Sequence, residues 1–119
     1  MKLMAERAAN VGQGLDAQLK HLIKVRASQI NGCALCLHMH VKEARQDGET
    51  DDRLHLLGAW HEAGVFTKRE RAALTWTEAL TLLADGASDA AYEAVADAFS
   101  PAEIVQLTMV INDINAWNR

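Results

Sequence analysis

The chain has 119 residues, of which 50% are hydrophobic and 24% are charged, with a formal net charge of −4 at pH 7. This composition predicts an ordinary globular protein with one domain, residues 1–119, that can bury a modest core. The acidic balance argues against a nucleic-acid partner, and no stretch reaches the roughly 18 apolar residues of a membrane span.

An all-α fold of about six or seven helices is predicted, because there is one proline and no period-two alternation of β-branched residues. A short helix is expected over residues 1–11, ended by Gly12 and Gly14. Asp16 is expected to cap the second helix, which carries His21 and has apolar residues on one face. His21 is either a surface histidine or a group that meets the cysteine-containing helix.

The third helix is expected to begin just before Cys33, with Asn31 as its N-cap, and to run to about Gln46. Gly48 is a plausible C′ residue beyond it. Further helix starts are marked by residues suited to N-capping, followed in two cases by a glutamate at N3. These start signals are Thr50 or Asp51, Thr67 with Glu70, Ser88 or Asp89, and Ser100 with Pro101 and Glu103.

The helix after Thr67 carries an apolar stripe of Ala73, Trp76, Leu80 and Leu83, ended by Asp85 and Gly86. The helix after Ser88 carries Tyr92, Val95, Ala96 and Phe99 on its apolar side. The last helix is apolar around nearly its whole circumference, which predicts either a central core helix or a helix at a subunit interface. Its pattern continues to Arg119, as in a chain that is cut within a helix.

Both cysteines lie in one short motif: Cys33 and Cys36 form a Cys-x-x-Cys pair, and His40 follows Cys36 by four residues. Positions three and four apart share a helical face, so these side chains line up if the helix begins just before Cys33. The unpaired N–H groups at a helix start favour a thiolate. Such positions lower a cysteine pKa from about 8.5 to roughly 3.5–7.5. The pattern therefore predicts a thiol redox centre.

Two other interpretations of the motif remain open. The cysteines can be small apolar residues of a buried helix. They can also bind zinc with His40 and either His38 or His21, although structural zinc usually takes its ligands from two separated pairs. We expect neither a metal nor a cofactor.

Other charged side chains near the motif are expected to lie at the surface. Glu43 could orient His40, but a solvated carboxylate beside Lys42 or Arg45 is the simpler interpretation. His38 points away from His40, and we expect no catalytic role for it. The remaining two histidines, His55 and His61, are expected at the surface or in packing contacts.

The residues around the motif also resemble the AhpD-like alkylhydroperoxidase branch of the carboxymuconolactone decarboxylase superfamily. The resemblance covers most of the chain from about Leu19 onward. The matching segments are Arg26–His40, Lys42–Arg45, Gly48–Glu49, Arg53–Trp60, Phe66–Leu74 and Ile114–Arg119.

That resemblance implies a small all-helical protein that assembles into homo-trimers or homo-hexamers. It implies reduction of alkyl hydroperoxides by the cysteine pair, with re-reduction by a dithiol donor, either a protein or a lipoyl-type group. Cys36 would attack the peroxide, Cys33 would close the disulfide, and His40 would take part in proton relay. The lactone-decarboxylating relatives lack the cysteine pair, so decarboxylase activity is not expected.

The chain departs from this pattern at two positions. His21 stands where the best-described members carry a glutamate as proton acceptor, twelve residues before the first cysteine. Leu35 stands where members can carry a histidine. An imidazole titrates near neutral pH, so His21 can still shuttle protons, but it lacks the fixed negative charge of a carboxylate.

We therefore expect a cytoplasmic thiol peroxidase, since a Cys-x-x-Cys pair without a visible signal peptide suits a reducing compartment. A general thiol–disulfide oxidoreductase is the enzymatic alternative. A redox-sensing or metal-binding interaction module, or a purely structural oligomer, are the alternatives without catalysis.

Overall fold

The protein is described by a computed structural model, which covers residues 2–3, 5–6, 11–82, 84 and 86–119. Within these residues the chain forms α-helices and one 3₁₀ turn, and no strand occurs, so the all-α prediction is confirmed. The helices are α1 (Ala17–Asn31), α2 (Ala34–Gln46), α3 (Asp51–Leu56), α4 (Lys68–Thr81), α5 (Asp89–Ala98) and α6 (Pro101–Asn118), with the 3₁₀ turn at Leu57–Ala59.

Most helix starts lie where the capping chemistry predicts. Side-chain oxygens at the N-caps accept hydrogen bonds from backbone N–H groups in the first turn, which otherwise lack partners. Thr67 and Ser100 complete capping boxes with Glu70 and Glu103. The N-caps with such bonds in α1 and α3 to α6 are Asp16, Thr50, Thr67, Ser88 and Ser100.

The central helix is α1, which packs against α2, α4 and α6. Its two faces serve two hydrophobic clusters. Leu19 and Ile23 join side chains of α4, α5 and α6, whereas Leu22 and Val25 join side chains of α2, α3 and α4. All four α1 side chains are at most 1% exposed, so α1 is held from several sides and gives α2 a rigid neighbour.

Several expectations for individual helices need correction or remain open. Tyr92 was expected in the core of α5, but it is 53% exposed and touches Trp76 edge-on. The helix predicted over residues 1–11 lies partly outside the described residues. Leu83, the last residue of the predicted apolar stripe, and Asp85, in the predicted turn, also lie outside them.

No single helix in the described part of the chain is long and apolar enough to cross a membrane. The helices α5 and α6 meet that criterion of length and composition only as a pair, and they are bent by 119° relative to each other.

Candidate functional site

The two cysteines follow directly on the end of α1. Gly32 has φ 69°, a left-handed conformation that favours glycine, and the N–H of Cys33 donates to the carbonyl of Ser28. This is a Schellman ending, so the expectation that Asn31 caps the following helix is wrong: Asn31 is the last residue of α1. Cys33 itself is the N-cap of α2. Gly32 is thus the only residue between the last residue of α1 and the N-cap of α2, and its left-handed conformation ends α1.

Cys33 and Cys36 form a disulfide with their Cα atoms 5.3 Å apart. Cys33 is half-buried, whereas Cys36 is only 7% exposed. The N–H of Cys36 donates to Cys33 Sγ at 3.3 Å, so a sulfur atom occupies the place of the usual capping oxygen. The Sγ of Cys36 lies 3.8 Å from the carbonyl oxygen of Trp117 in α6. The pair therefore sits at the positive end of α2, with Cys33 the more exposed residue and Cys36 the more enclosed one.

A network of side-chain amides ties this junction to α6. Asn31 Nδ2 donates to Asn115 Oδ1 at 2.8 Å and to Asn118 Oδ1 at 2.9 Å. Asn118 Nδ2 donates to the hydroxyl of Ser28 at 3.1 Å. Asn115 donates to Thr81 at the end of α4 at 3.0 Å. These bonds connect the ends of three helices just before Cys33, and buried networks of this kind rigidify their surroundings.

His40 lies one turn beyond Cys36 on α2 and is 7% exposed. Burial lowers the pKa of His40 below its ordinary value, and the positive charges of Lys24 and His21 act in the same direction. The carboxylate of Glu43, with Oε2 3.4 Å from His40 Nδ1, opposes this effect. Glu43 is thus a partner of His40 rather than the solvated charge that we expected. The imidazole is neutral at pH 7 and can accept a proton.

His21 is buried, which excludes the alternative of a surface histidine. It is 9% exposed, and its Nε2 lies 2.5 Å from Asp47 Oδ2, at the end of α2. Its Nδ1 is buried without a hydrogen-bond partner among the described residues. A buried polar atom left in this way costs about 1–3 kcal/mol. No direct hydrogen bond joins His21 to His40 or to either cysteine within the described part of the chain, but its charge reaches His40.

A cavity of about 340 Å³ opens beside His40. Its wall combines apolar side chains of α2 and α6 with charged side chains of α1, α2 and α6. Among the residues that line it are Lys24, Met39, His40, Glu43, Asp113, Ile114 and Trp117. Trp117, which lines the cavity, also contacts Cys36 Sγ through its carbonyl oxygen.

The other histidines lie elsewhere. His38, His55 and His61 are exposed, and His61 stacks on Trp60 with ring centroids 3.8 Å apart. Among the described residues no three His, Cys, Asp or Glu side chains converge on a position that could hold a metal ion.

The groups of the site that were not anticipated from the sequence include Lys24, Asp47 and Asn115. Asp47 lies 26 positions after His21 on a different helix, and no local pattern pairs them. The Gly48 signal did indicate that α2 ends near Asp47, which is the only sequence feature that bears on it.

Comparison with known proteins gives one family and several similar chains. The profile of the carboxymuconolactone decarboxylase family matches residues 1–79. The uncharacterized protein YdfG of Bacillus subtilis is 38% identical over 121 residues, covering 100% of this chain and 82% of the relative. The uncharacterized protein YnjA of Escherichia coli is 25% identical over 97 residues, covering 82% of this chain and 53% of the relative.

Two solved structures are also similar. One, from Agrobacterium tumefaciens, is described as a protein of unknown function and a candidate antioxidant defence protein AhpD. It is 44% identical with a TM-score of 0.92, and the match covers 99% of this chain and 80% of that one. The other is an uncharacterized peroxidase-related protein from Silicibacter sp., 21% identical with a TM-score of 0.84 over 99% of this chain and 64% of that one, which bears on the fold alone.

Proposed function

This chain belongs to the carboxymuconolactone decarboxylase family, in its AhpD-like branch, and on that premise we propose that it is a thiol-dependent peroxidase that reduces alkyl hydroperoxides. The observation that carries the proposal is the disulfide-forming pair Cys33–Cys36 at a helix start, with the buried His40 one turn further on. The description of the Agrobacterium relative as a candidate antioxidant defence protein agrees with it.

In the proposed reaction the Cys36 thiolate attacks the terminal oxygen of the hydroperoxide. An S–O bond forms, the O–O bond breaks, and the alkoxide takes up a proton and leaves as the alcohol. The thiol of Cys33 then attacks the sulfenic acid on Cys36, which releases water and closes the disulfide. The enclosed position of Cys36 limits access by bulk solvent and favours condensation with its neighbour over further oxidation.

His40 is the proposed proton acceptor for the Cys36 thiol. A base must be neutral to accept a proton, and the burial that lowers the pKa of His40 keeps it so at pH 7. Glu43 orients the ring through Nδ1. His21 is the second proposed member of the proton relay, since its charge reaches His40.

The cavity beside His40 is the proposed site for the alkyl part of the substrate. Met39, Ile114 and Trp117 offer apolar surface there, which suits a hydrocarbon chain. The wall also contacts Cys36 through the Trp117 carbonyl, so an alkyl group in the cavity brings its peroxide towards this sulfur.

Turnover requires a dithiol donor, which we propose attacks Cys33. Thiol–disulfide exchange needs access to the sulfur that is attacked, and Cys33 is the more exposed of the two. Attack there leaves Cys36 as the thiolate, ready for the next peroxide. Such a cycle suits the cytoplasm, where thiols are kept reduced.

Replacing Cys36 with serine is expected to abolish hydroperoxide consumption, because the attacking sulfur is lost. Cys33→Ser is expected to lose turnover with a dithiol donor but to retain a single-turnover sulfenic acid on Cys36, detected by dimedone labelling and mass spectrometry. His38→Ala is the matched control, since this exposed side chain lies on the same helix outside the site. Unchanged turnover in Cys36→Ser would reject the proposed function.

The alternative function is general thiol–disulfide exchange without a peroxide step. The accessibility of Cys33 and the 77% exposure of its neighbour Leu35 favour contact with a protein disulfide. Parallel assays of cumene hydroperoxide consumption and insulin-disulfide reduction distinguish the two. Reduction of insulin without consumption of the hydroperoxide identifies the oxidoreductase.

A further inference from the structure

Asp47 holds His21 across the contact between α1 and α2. The Oδ2 atom of Asp47 lies 2.5 Å from His21 Nε2. Backbone hydrogen bonds at the end of α2 hold Asp47 in this position. Asp47 is the C-cap of α2, Gly48 follows with φ 96°, and the N–H groups of the next two residues return to carbonyls in the last turn of α2. Gln18 of α1 also donates to the Asp47 carbonyl at 3.3 Å. The carboxylate is therefore directed at His21 by a defined helix ending.

This contact selects one tautomer of His21. An ionised carboxylate only accepts hydrogen bonds, so Nε2 carries the proton and the neutral ring has its lone pair on Nδ1. That nitrogen is buried and has no hydrogen-bond partner among the described residues. Buried polar atoms are ordinarily paired, so an unpaired basic nitrogen on the helix that packs against the cysteine-containing helix calls for an explanation.

His21 lies on α1, which packs against α2, the helix that carries Cys36 and His40. The positive charge of His21 lowers the pKa of His40, and Lys24 contributes in the same direction. A charged His21 therefore disfavours a second proton on His40. Of the two, His21 has the closer carboxylate, at 2.5 Å against 3.4 Å for His40 and Glu43.

We propose that Asp47 is a positioning residue that fixes His21 with Nδ1 free, so that this nitrogen accepts the proton released when the Cys36 thiol ionises. The inference rests on the proposed function. The S–H bond of Cys36 breaks, the proton passes by way of His40, and an N–H bond forms at His21 Nδ1. The resulting imidazolium is paired with the Asp47 carboxylate. The same proton later returns to the alkoxide that leaves when the O–O bond breaks.

The test uses two readouts that do not require peroxide turnover. The first is the tautomer of His21, read from ¹⁵N chemical shifts of the ring nitrogens in the reduced protein. The second is the rate of Cys36 alkylation by iodoacetamide at pH 7, measured in a Cys33→Ser background so that one thiol reacts. Asp47→Asn is expected to lose the single Nε2–H tautomer and to slow alkylation by roughly tenfold or more, because a proton acceptor loses its orienting charge.

Two further variants separate this role from a general effect on stability. Asp47→Glu keeps the carboxylate and is expected to recover most of the alkylation rate. Asp51→Asn removes a different carboxylate beside α2, one that is exposed and paired with Arg45, and is expected to leave both readouts unchanged.

The outcomes distinguish this inference from the proposed function. Loss of the single tautomer and slower alkylation in Asp47→Asn support the positioning role, whether or not the wild-type protein consumes hydroperoxide. A wild-type protein that consumes no hydroperoxide would reject only the proposed peroxidase function. An unchanged tautomer and an unchanged alkylation rate in Asp47→Asn overturn the positioning role, even in a protein that consumes hydroperoxide normally.

Discussion

At the scale of single residues, two carboxylate–histidine pairs define the candidate site. His21 pairs with Asp47 and His40 with Glu43, and both rings lie in the α1–α2 region, largely removed from solvent. Burial is the main reason that the pKa of His40 lies below its ordinary value, and Glu43 moderates the effect. Packing therefore keeps the ring neutral further into the acidic range than an exposed histidine, whose pKa is about 6.5.

The pH dependence of alkyl hydroperoxide reduction follows from the directions in which burial and Glu43 change the pKa of His40. The acid limb of kcat/KM is expected below about pH 6.5, since His40 must be neutral in the free enzyme and its pKa is lowered. Glu43→Gln removes the carboxylate that raises this pKa, so the limb is expected to move to lower pH. Lys24, His21 and Asp113 are the other titratable groups near the ring or its cavity, and they are retained.

Glu62→Gln, at an exposed position outside the site, is the control for this profile. A limb that moves to higher pH in Glu43→Gln would contradict the assignment of His40 as the base. The same lowered pKa predicts that folding stability falls as pH drops below about 6.5, because the unfolded chain then binds a proton that the folded His40 binds less readily.

At the scale of secondary-structure elements, a partly buried ion network holds α3 against the start of α4. Arg53 donates to Glu49 at 3.0 Å and to Glu70 at 3.0 Å, and also to the carbonyl of Val65. The hydrogen bond to Glu70 raises the pKa of Arg53. Burial alone would raise the pKa of Glu70, but its bonds to Arg53 and Thr67 lower it overall. The Glu49 side chain is only 3% exposed, and Arg53 is its cationic partner.

Arg53→Met is expected to destabilise the protein by about 3–5 kcal/mol, because it leaves two carboxylates buried or half-buried without their cation. Arg45→Met is the matched control, since Arg45 pairs with Asp51 where both side chains are more than half exposed. That change is expected to alter stability by less than about 1 kcal/mol. Urea unfolding measures both, and equal midpoints for the two variants would show that the network contributes little.

At the scale of the whole molecule, the last helix, α6, is buried on one side and exposed on the other, so it is not a core helix on all sides. Leu107, Val110 and Ile111 of α6 are fully buried, so one side of the helix is core. Val105 is 56% exposed and Met109 42% exposed, four residues apart on the outer side. A single chain thus leaves part of this helix uncovered, and a homo-oligomer stays a prediction, as does one domain over residues 1–119.

Light scattering is expected to give a mass of three or six times the 13.1 kDa chain. The double variant Val105→Glu and Met109→Glu is expected to lower that mass, because charge on the outer side of α6 opposes burial between subunits. Val65→Glu is the control, at a position 42% exposed outside α6. A mass of one chain for the wild-type protein at all concentrations would refute the oligomer.

The sequence by itself determined the features that depend on neighbours along the chain. The helix starts at Thr67 and Ser100 could be predicted because capping is a contact over three residues. The spacing of Cys36 and His40 likewise places them one turn apart on the same face of α2. Even locally it failed at Asn31, where two helices meet and a residue read as a cap for one proved to be the end of the other.

Only the tertiary structure decided which side chains meet across helices. The packing of α1 on α2 buries His21 and sets it against Asp47, and it lowers the pKa of His40 through burial and the charges of Lys24 and His21. These effects depend on distances in space between residues far apart in the chain, and burial itself exists only once the helices have packed. The positions of the thiols were therefore readable beforehand, whereas the electrostatic environment that acts on them was not.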